Sequence, residues 1–247
     1  MAELARIVDF CERTLDVAAF DDYCPNGLQV EGRGEVRRIV SGVTASQALL
    51  DAAVADGADL VLVHHGWFWR GEAQPLVGMK GRRVRALMRA DVSLLAYHLP
   101  LDAHPRLGNN RQLGLRLGFE QADAVDGLVW GTELAEALDA DALAARIDRA
   151  LGRAPLQVGP RLRGLRRIAW CTGAAQGMIE QAAAAGFEAF ISGEISEQTM
   201  HQANELGIAY FAAGQHATER YGVQALGERL GREFGVEHGF IDLDNPA

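Results

Sequence analysis

Short apolar runs alternate with helical stretches along almost the whole chain, and this alternation constrains the fold more than any other feature. The predicted strands are residues 38–43, 59–63, 93–97, 167–171, 187–192, 207–212 and 236–242. The predicted helices are residues 3–16, 45–56, 81–90, 109–117, 140–151, 174–185, 196–206 and 217–234. Because helices separate strands that are apolar throughout, we expect mainly parallel pairing with helices on both faces of the sheet.

One part of this pattern occurs twice. The segment Ile39–His65 aligns without a gap to the segment Ile168–Glu194, and His65 then falls on Glu194. Either two βαβ units resemble each other by chance, or the chain contains two related lobes. We predict an α/β fold of two related three-layer α/β/α lobes, residues 1–125 and 126–247, with the option that the C-terminal segment packs back on the first lobe. A crevice between the lobes is then the expected place for a metal site.

Charge and cysteine content narrow the class of protein. The formal net charge of −9 argues against a protein that coats nucleic acid. Two basic runs, residues 80–89 and 161–167, are either solvated faces or contacts for an anionic substrate. The three cysteines have no CxxC spacing, so a disulfide framework or a thiolate zinc site is not expected. This cysteine usage, together with the lack of a secretory signal or a spanning apolar run, predicts a cytoplasmic protein without a membrane contact.

Histidines and carboxylates follow three of the predicted strands. His64 and His65 come after the run 59–63, His98 and Asp102 after 93–97, and His216 and Glu219 after 207–212. In open α/β sheets, ligands bind at the carboxyl ends of the strands. Nitrogen and oxygen donors without a thiolate suit catalytic zinc, manganese, iron or nickel. Because the donors outnumber the ligands of one tetrahedral ion, two ions bridged by a carboxylate would use them all.

Whether two of these donor pairs can bind one site depends on the local geometry of the chain. Successive side chains of a strand point to opposite faces, so His64 and His65 converge only where the strand ends, and Gly66 would ease that turn. The alternative is a pair of hydrogen-bonded histidines that cap the strand. His216 and Glu219 are spaced i, i+3 near a helix start, which is the spacing of dinuclear carboxylate sites in helix bundles.

The remaining histidines and the aromatic cluster have less specific interpretations. His98 is either a ligand or a residue that orients one, whereas His104 is predicted to be a solvated loop residue. His201 and His238 are predicted to be structural. The run Trp67-Phe68-Trp69 is either an apolar wall for a planar base or an oligomer contact. The chain contains no GxGxxG, Walker or GxSxG motif. The sequence therefore gives no indication of a dinucleotide-binding motif, a P-loop or a nucleophile-elbow serine.

Together these residues resemble the GTP cyclohydrolase I type 2 homologue family, and its YbgI-like branch most closely. The resemblance covers nearly the whole chain and includes Ile241-Asp242. It rests on the segments Tyr23-x-Pro25-Asn26-Gly27-Leu28-Gln29-Val30-Glu31-Gly32, Gly42-Val43-Thr44, His64-His65-Gly66, His98-Leu99-Pro100-Leu101-Asp102 and Gly214-x-His216-x-x-Glu219.

The resemblance implies a toroidal homohexamer, built as a trimer of dimers, whose dinuclear metal centre faces the interior of the ring. By matching position, the implied metal ligands are His64, His65, Asp102, His216 and the bridging Glu219, and the implied catalytic residues are His98, Glu194 and Glu219. Longer members carry an extra domain between the lobes. This chain lacks it, so no role of that domain is carried over.

The function that follows is metal-dependent hydrolysis of a nucleotide-like small molecule. In the activity after which the family is named, hydroxide opens the guanine ring at C8 and formate is released. We predict two divalent ions per subunit, of zinc, iron, manganese or nickel, with His98 or Glu194 as the group that moves protons. The competing hypothesis is a non-enzymatic ring that binds or delivers metal, or an interaction scaffold. A ring that encircles nucleic acid is disfavoured by the acidic net charge.

Overall fold

The secondary structure follows the predicted alternation in a computed structural model that describes residues 1–247. The strands are β1 (Ala2–Glu3), β2 (Gly27–Val30), β3 (Glu35–Val36), β4 (Arg38–Thr44), β5 (Leu60–His65), β6 (Ser93–Ala96), β7 (Asp123–Asp126), β8 (Val129–Leu138), β9 (Leu156–Val158), β10 (Leu165–Trp170), β11 (Ala189–Ser192), β12 (Ala209–Ala212) and β13 (Glu237–Phe240). The α-helices are α1 (Leu4–Thr14), α2 (Gln47–Ala55), α3 (Gly78–Ala90), α4 (Leu99–Ala103), α5 (Asn109–Arg116), α6 (Ala140–Leu151), α7 (Ile179–Ala184), α8 (Glu197–Leu206) and α9 (Gln215–Phe234). Short 3₁₀ turns cover Val17–Ala19 and Gln176–Met178.

Every predicted strand and helix is present; the differences are several strands and the short helix α4, which were not predicted, and the form of one helix. The sequence analysis did not predict β1, β2, β3, β7, β8 or β9, because these strands are short or partly exposed and their apolar residues do not form a continuous run. The helix predicted over 174–185 is a 3₁₀ turn followed by the short α7. Gly177 lies in that turn, and glycine is a poor helix former.

The chain divides into two units. Unit 1 comprises Met1–His104 and Gly222–Asp244, and unit 2 comprises Pro105–Tyr221 and Asn245–Ala247. The predicted boundary between residues 125 and 126 therefore lies inside unit 2. Most of the C-terminal segment belongs to unit 1. None of the helices combines the length and the apolarity that crossing a bilayer needs.

Unit 1 is built on a five-stranded sheet of order β13-β4-β5-β6-β2. The first four strands are parallel, as expected, and β2 runs antiparallel to β6. Val61 and Val63 of β5 pack with α2 and α3 on one face. Leu60 and Leu62, which point to the other face, are fully buried. The sheet is thus buried on both sides, which accounts for the continuous apolar run of β5.

Unit 2 is built on a six-stranded sheet of order β7-β8-β10-β11-β12-β9. Strands β10, β11 and β12 are parallel, and their neighbours β8 and β9 are antiparallel. Trp170 packs with α5 and α6 on one face, and Phe190 packs with α7 and α8 on the other. The parallel strands β4-β5-β6 with the antiparallel β2 at their edge match β10-β11-β12 with β9. The repeat in the sequence is therefore also a repeat of topology.

A buried carboxylate closes the amino end of the unit 1 sheet. Asp59 directly precedes β5, and its Oδ2 accepts hydrogen bonds from the backbone N–H groups of Arg37 at 2.8 Å and Arg38 at 3.1 Å. Its Oδ1 accepts from Arg33 Nη1 at 3.0 Å. Because the histidines of β5 lie at the opposite end of the same strand, Asp59 is a structural carboxylate remote from them.

His238 of β13 supports a prediction about pH. Its Nε2 lies 2.8 Å from Ser41 Oγ, and its ring packs against Gly227 of α9. Burial lowers the pKa of His238 below its ordinary value; Arg38 on β4 acts in the same direction, and Glu228 on α9 acts against it. The unfolded chain therefore binds more protons than the folded chain, and the free energy of unfolding should fall as the pH drops below about 6.5.

We expect His238→Gln to reduce this loss of stability between pH 7.5 and pH 5. Urea unfolding at both pH values measures it. The exposed His201, which pairs with Glu197 on α8, offers His201→Gln as a control that should leave the loss unchanged. An identical pH dependence in wild type and His238→Gln would contradict the prediction.

Candidate metal-binding site

The adjacent histidines of β5 converge at the carboxyl end of the unit 1 sheet. The ring centroids of His64 and His65 lie 4.5 Å apart. His64 is fully buried and His65 is half-buried. A Cβ at Gly66 would overlap the side chains of Gln29 and Ala96, so only glycine lets the chain turn here. The turn after the doublet brings both imidazoles to one edge of the sheet.

Hydrogen bonds hold the orientation of both rings and, for His64, also fix the tautomer. The Nδ1 of His64 lies 2.9 Å from the carbonyl oxygen of Tyr97, and a carbonyl oxygen only accepts, so Nδ1 carries the proton. The lone pair of the neutral ring is therefore on Nε2. The Nδ1 of His65 lies 3.2 Å from Thr44 Oγ1. Metal-binding histidines commonly have their second nitrogen held in this way.

A third histidine and a carboxylate complete the cluster within unit 1. One ligand atom from each of His64, His65 and His98 lies within 4.8 Å of the others. Asp102 Oδ1 lies 3.5 Å from His64 Nε2, and the Asp102 side chain is buried. Residues 99–101 begin α4, which tolerates Pro100 in its first turn. This short helix carries Asp102 back toward the strand end.

The donor set fits a divalent transition metal. The imidazoles of His64 and His65 and the carboxylate of Asp102 suit zinc, iron, manganese or nickel. Cys24 lies near His98, but its thiol donates to Asp22 Oδ1 at 3.8 Å. Burial and the charge of Asp22 raise the pKa of Cys24 to about 12. The thiol is therefore protonated at neutral pH, in agreement with a site that uses nitrogen and oxygen donors.

The loop before β2 and β2 itself position the two histidine segments, which the sequence analysis did not foresee. Asn26 Oδ1 accepts from the backbone N–H of His98 at 2.7 Å. Gln29 Oε1 accepts from the N–H of Trp67 at 2.7 Å, and Gln29 Nε2 donates to the Trp67 carbonyl at 3.1 Å. These side chains thus replace strand pairing at the points where β5 and β6 have ended.

The three aromatic residues after the doublet have different roles. Trp67 is a core residue whose Nε1 donates to the Ala45 carbonyl at 2.9 Å. The ring of Trp69 lies 5.1 Å from that of His98 and 6.0 Å from that of His65. Phe68 between them has a φ of 67°, a strained value for a bulky residue. Trp69 therefore lines the histidine cluster.

A second set of candidate donors lies in unit 2. His216 and Glu219 are in the first turns of α9, and the Glu219 side chain is buried. A Cβ at Gly173 would overlap Glu219 Oε1, and Gly173 has a φ of 72°. The N–H of Gly173 donates to Thr218 Oγ1 at 3.1 Å. The loop after β10 is thus built closely around the Glu219 carboxylate.

The other predicted residues lie as follows. Glu194 is half-buried beyond the carboxyl end of β11, and its backbone carbonyl accepts from the Tyr210 hydroxyl. Its position matches that of His65 in the repeat. His104 is half-buried at the end of α4, whereas we expected a solvated loop residue.

The basic runs are partly engaged in structural contacts. Lys80 Nζ lies 3.1 Å from Glu72 Oε2 and 4.6 Å from the ring centroid of Phe68. Arg166 donates to the carbonyls of Leu134 and Ala135 of β8. Lys80 and Arg166 therefore make contacts within the protein, and whether either run contacts an anionic substrate stays a prediction.

Comparison with known proteins gives one consistent family. The model of the Duf34/NIF3 family (NGG1p interacting factor 3) matches residues 2–246. A Pseudomonas aeruginosa protein named GTP cyclohydrolase 1 type 2 homolog is 58% identical over 249 residues, which cover 99% of this chain and 98% of that protein. A protein of the same name from Allochromatium vinosum is 54% identical over 250 residues, with 100% and 98% covered.

Solved structures agree with this comparison. The structure of the protein ybgI, described as of unknown function, has a TM-score of 0.95 and 48% identity, with 100% of both chains covered. A protein from Thermus thermophilus has a TM-score of 0.93 and 31% identity, also over 100% of both chains. The expected α/β fold and the resemblance drawn from the sequence motifs are both confirmed.

Proposed function

The chain belongs to the Duf34/NIF3 family, and from this premise we propose that it is a divalent-metal-dependent hydrolase of a nucleotide-like substrate. The observation that carries the proposal is the cluster of His64, His65 and His98, whose ligand atoms lie within 4.8 Å of one another. In each ring Nδ1 lies within hydrogen-bond distance of a protein oxygen, as is common for metal-binding histidines.

The proposed metal ligands are His64, His65 and Asp102 in unit 1 and His216 and Glu219 in unit 2, with Glu219 bridging two ions. Two ions per chain, of zinc, iron, manganese or nickel, remain a prediction from the resemblance. When bound, such ions lower the pKa of water toward about 7 and so make hydroxide available at neutral pH. The chain itself must then bind the substrate and move protons.

The residues around the cluster suit these two tasks. His98 is the proposed acceptor of the proton that the attacking water loses, with Glu194 as a second proton-transfer group. Trp69 and Tyr23 present aromatic rings 5.8 Å apart beside His98, and a planar base would stack on such a surface. In the cyclohydrolase version, one water adds at C8 of the purine and opens the imidazole ring to a formamide, and a second water hydrolyses the formamide and releases formate.

The test begins with elemental analysis of protein purified without added metal. Metal-free protein is then reloaded with each of the four metals and incubated with GTP and related purine nucleotides. We expect bound metal and formate release that a chelator abolishes. Unchanged nucleotides after long incubation with every metal would refute the cyclohydrolase proposal, and exchangeable metal without turnover would favour the metal-delivery hypothesis.

Glu219→Ala tests the bridging role. We expect loss of metal from this variant, and full occupancy would refute the assignment. Glu197→Ala is the matched control, because it removes an exposed carboxylate from α8 in the same unit. The homohexameric ring likewise remains a proposal, which the mass of the assembled protein in solution tests.

A further inference from the structure

A carboxylate outside the predicted ligand set holds His98 in place. Asp22 lies in the loop before β2, and its side chain is only 2% exposed. Its Oδ1 lies 2.9 Å from His98 Nδ1. Its Oδ2 accepts from the backbone N–H of Leu99 at 3.0 Å and from Asn26 Nδ2 at 2.9 Å. One carboxylate thus binds the imidazole and the backbone that carries it.

These hydrogen bonds define the protonation of the ring. Burial disfavours the charged form of Asp22, but the hydrogen bonds from His98, Asn26 and Leu99 outweigh it and hold the pKa of Asp22 well below its usual range. An ionised carboxylate only accepts, so the proton between the two groups is on Nδ1 of His98.

The surroundings of the ring also restrict its orientation. Tyr23 contacts His98 at 5.0 Å between centroids and 74° between ring planes, and Trp69 does so at 5.1 Å and 84°. The ring centroids of His64 and His65 lie 5.1 Å and 5.8 Å from that of His98. With Nδ1 bound to Asp22, Nε2 is the nitrogen that His98 presents to the cluster.

We propose that Asp22 is a positioning residue, whose carboxylate fixes His98 in the Nδ1-protonated tautomer and directs Nε2 toward His64 and His65. The part of this proposal that makes His98 the proton acceptor rests on the proposed function. During hydrolysis the Nε2 lone pair accepts one proton from the attacking water, and the ring becomes an imidazolium. Asp22 stabilises that cation through the Nδ1 proton and itself stays ionised, as in other carboxylate–histidine pairs.

A double-mutant cycle tests whether Asp22 acts through His98. We expect Asp22→Asn to lower kcat by about 100-fold or more, with KM and metal content unchanged. In the His98→Gln background the same substitution should have no further effect. Independent, multiplying losses would overturn the proposal, because they would show that Asp22 acts on activity by another route.

Asp59→Asn is the matched control. Asp59 is also a buried carboxylate that accepts backbone N–H groups, but it lies at the amino end of β5. This variant should lose stability and keep its kcat. A similar loss of kcat in Asp59→Asn and Asp22→Asn would overturn the proposal, because any weakened unit 1 sheet would then reduce activity.

A second measurement does not depend on turnover. In protein labelled with ¹⁵N-histidine, the Nδ1 proton of His98 should give a slowly exchanging NMR signal, which its absence in His98→Gln identifies. We expect Asp22→Asn to shift this signal and speed its exchange, and Asp59→Asn to leave it unchanged. If Asp22→Asn does not fold, Asp22→Glu displaces the carboxylate by one methylene and should also shift the signal.

The NMR and activity measurements together distinguish failure of the positioning role of Asp22 from failure of the proposed function. A signal that does not respond to substitution of Asp22 overturns the positioning role whatever the activity. An Asp22-dependent signal in a protein that hydrolyses no nucleotide supports the positioning of His98, while the proposed function fails.

Discussion

His64→Asn is expected to lower the affinity of the protein for its divalent metal by more than about 100-fold. The asparagine amide can still donate to the Tyr97 carbonyl in place of Nδ1, but it offers no counterpart of Nε2, the atom 3.5 Å from Asp102 Oδ1. Loss of a residue that merely orients a ligand typically costs 10–100-fold in affinity, so loss of a ligand should cost more.

Metal content after dialysis against a buffered chelator measures this effect. His201→Asn makes the same chemical change at an exposed histidine and should retain full occupancy. The far-UV circular dichroism of both variants should match wild type. A folded His64→Asn protein that keeps all of its metal would exclude His64 as a ligand.

Gly173→Ala is expected to destabilise the protein by about 2–5 kcal/mol and to reduce its metal content. Two costs combine at this position. An alanine at a φ of 72° is strained by about 1–2 kcal/mol, and its Cβ would overlap the Glu219 carboxylate, which adds about 1–3 kcal/mol. The carboxylate must move to make room, so a ligand role of Glu219 would be lost with its position.

Gly164→Ala separates these two costs. Gly164 has a φ of 73°, but a Cβ there would meet nothing within 4 Å. This control should lose only about 1–2 kcal/mol and keep its metal. Denaturant unfolding and elemental analysis of both variants give the comparison. Equal losses of stability in the two variants would show that the Glu219 carboxylate moves away from the new Cβ at no cost in free energy. An unchanged metal content of Gly173→Ala would argue against Glu219 as a ligand.

The elements that the sequence predicts well are those buried on both faces. Strand β5 is apolar from Leu60 to Val63 because both of its faces are buried, and such runs can be recognised without a structure. Strand β8 is buried only over Val129–Thr132, and its remaining residues mix alanine, glutamate and leucine as a helix would. A strand that is buried over only part of its length has no distinct pattern in the sequence.

The candidate site was predictable in part for a similar reason. His64 and His65 were visible because they end an apolar run. The Nδ1 partner of His64 is a backbone carbonyl, which no residue pattern reveals. Asp22 contacts His98 across 76 positions of the chain and lies within a turn rich in aspartate, proline and asparagine. Only the fold distinguishes it from the neighbouring Asp21.

The return of residues 222–244 to unit 1 has a consequence for the order in which the chain can fold during synthesis. The strands of the unit 2 sheet all lie within residues 123–212, so that sheet has all its strands before translation ends. The unit 1 sheet lacks β13, the partner of β4, until residue 240 has been made. The unit 1 sheet, whose other strands are translated before those of unit 2, is thus the last sheet to be completed, and until then β4 remains an open sheet edge available for wrong pairing.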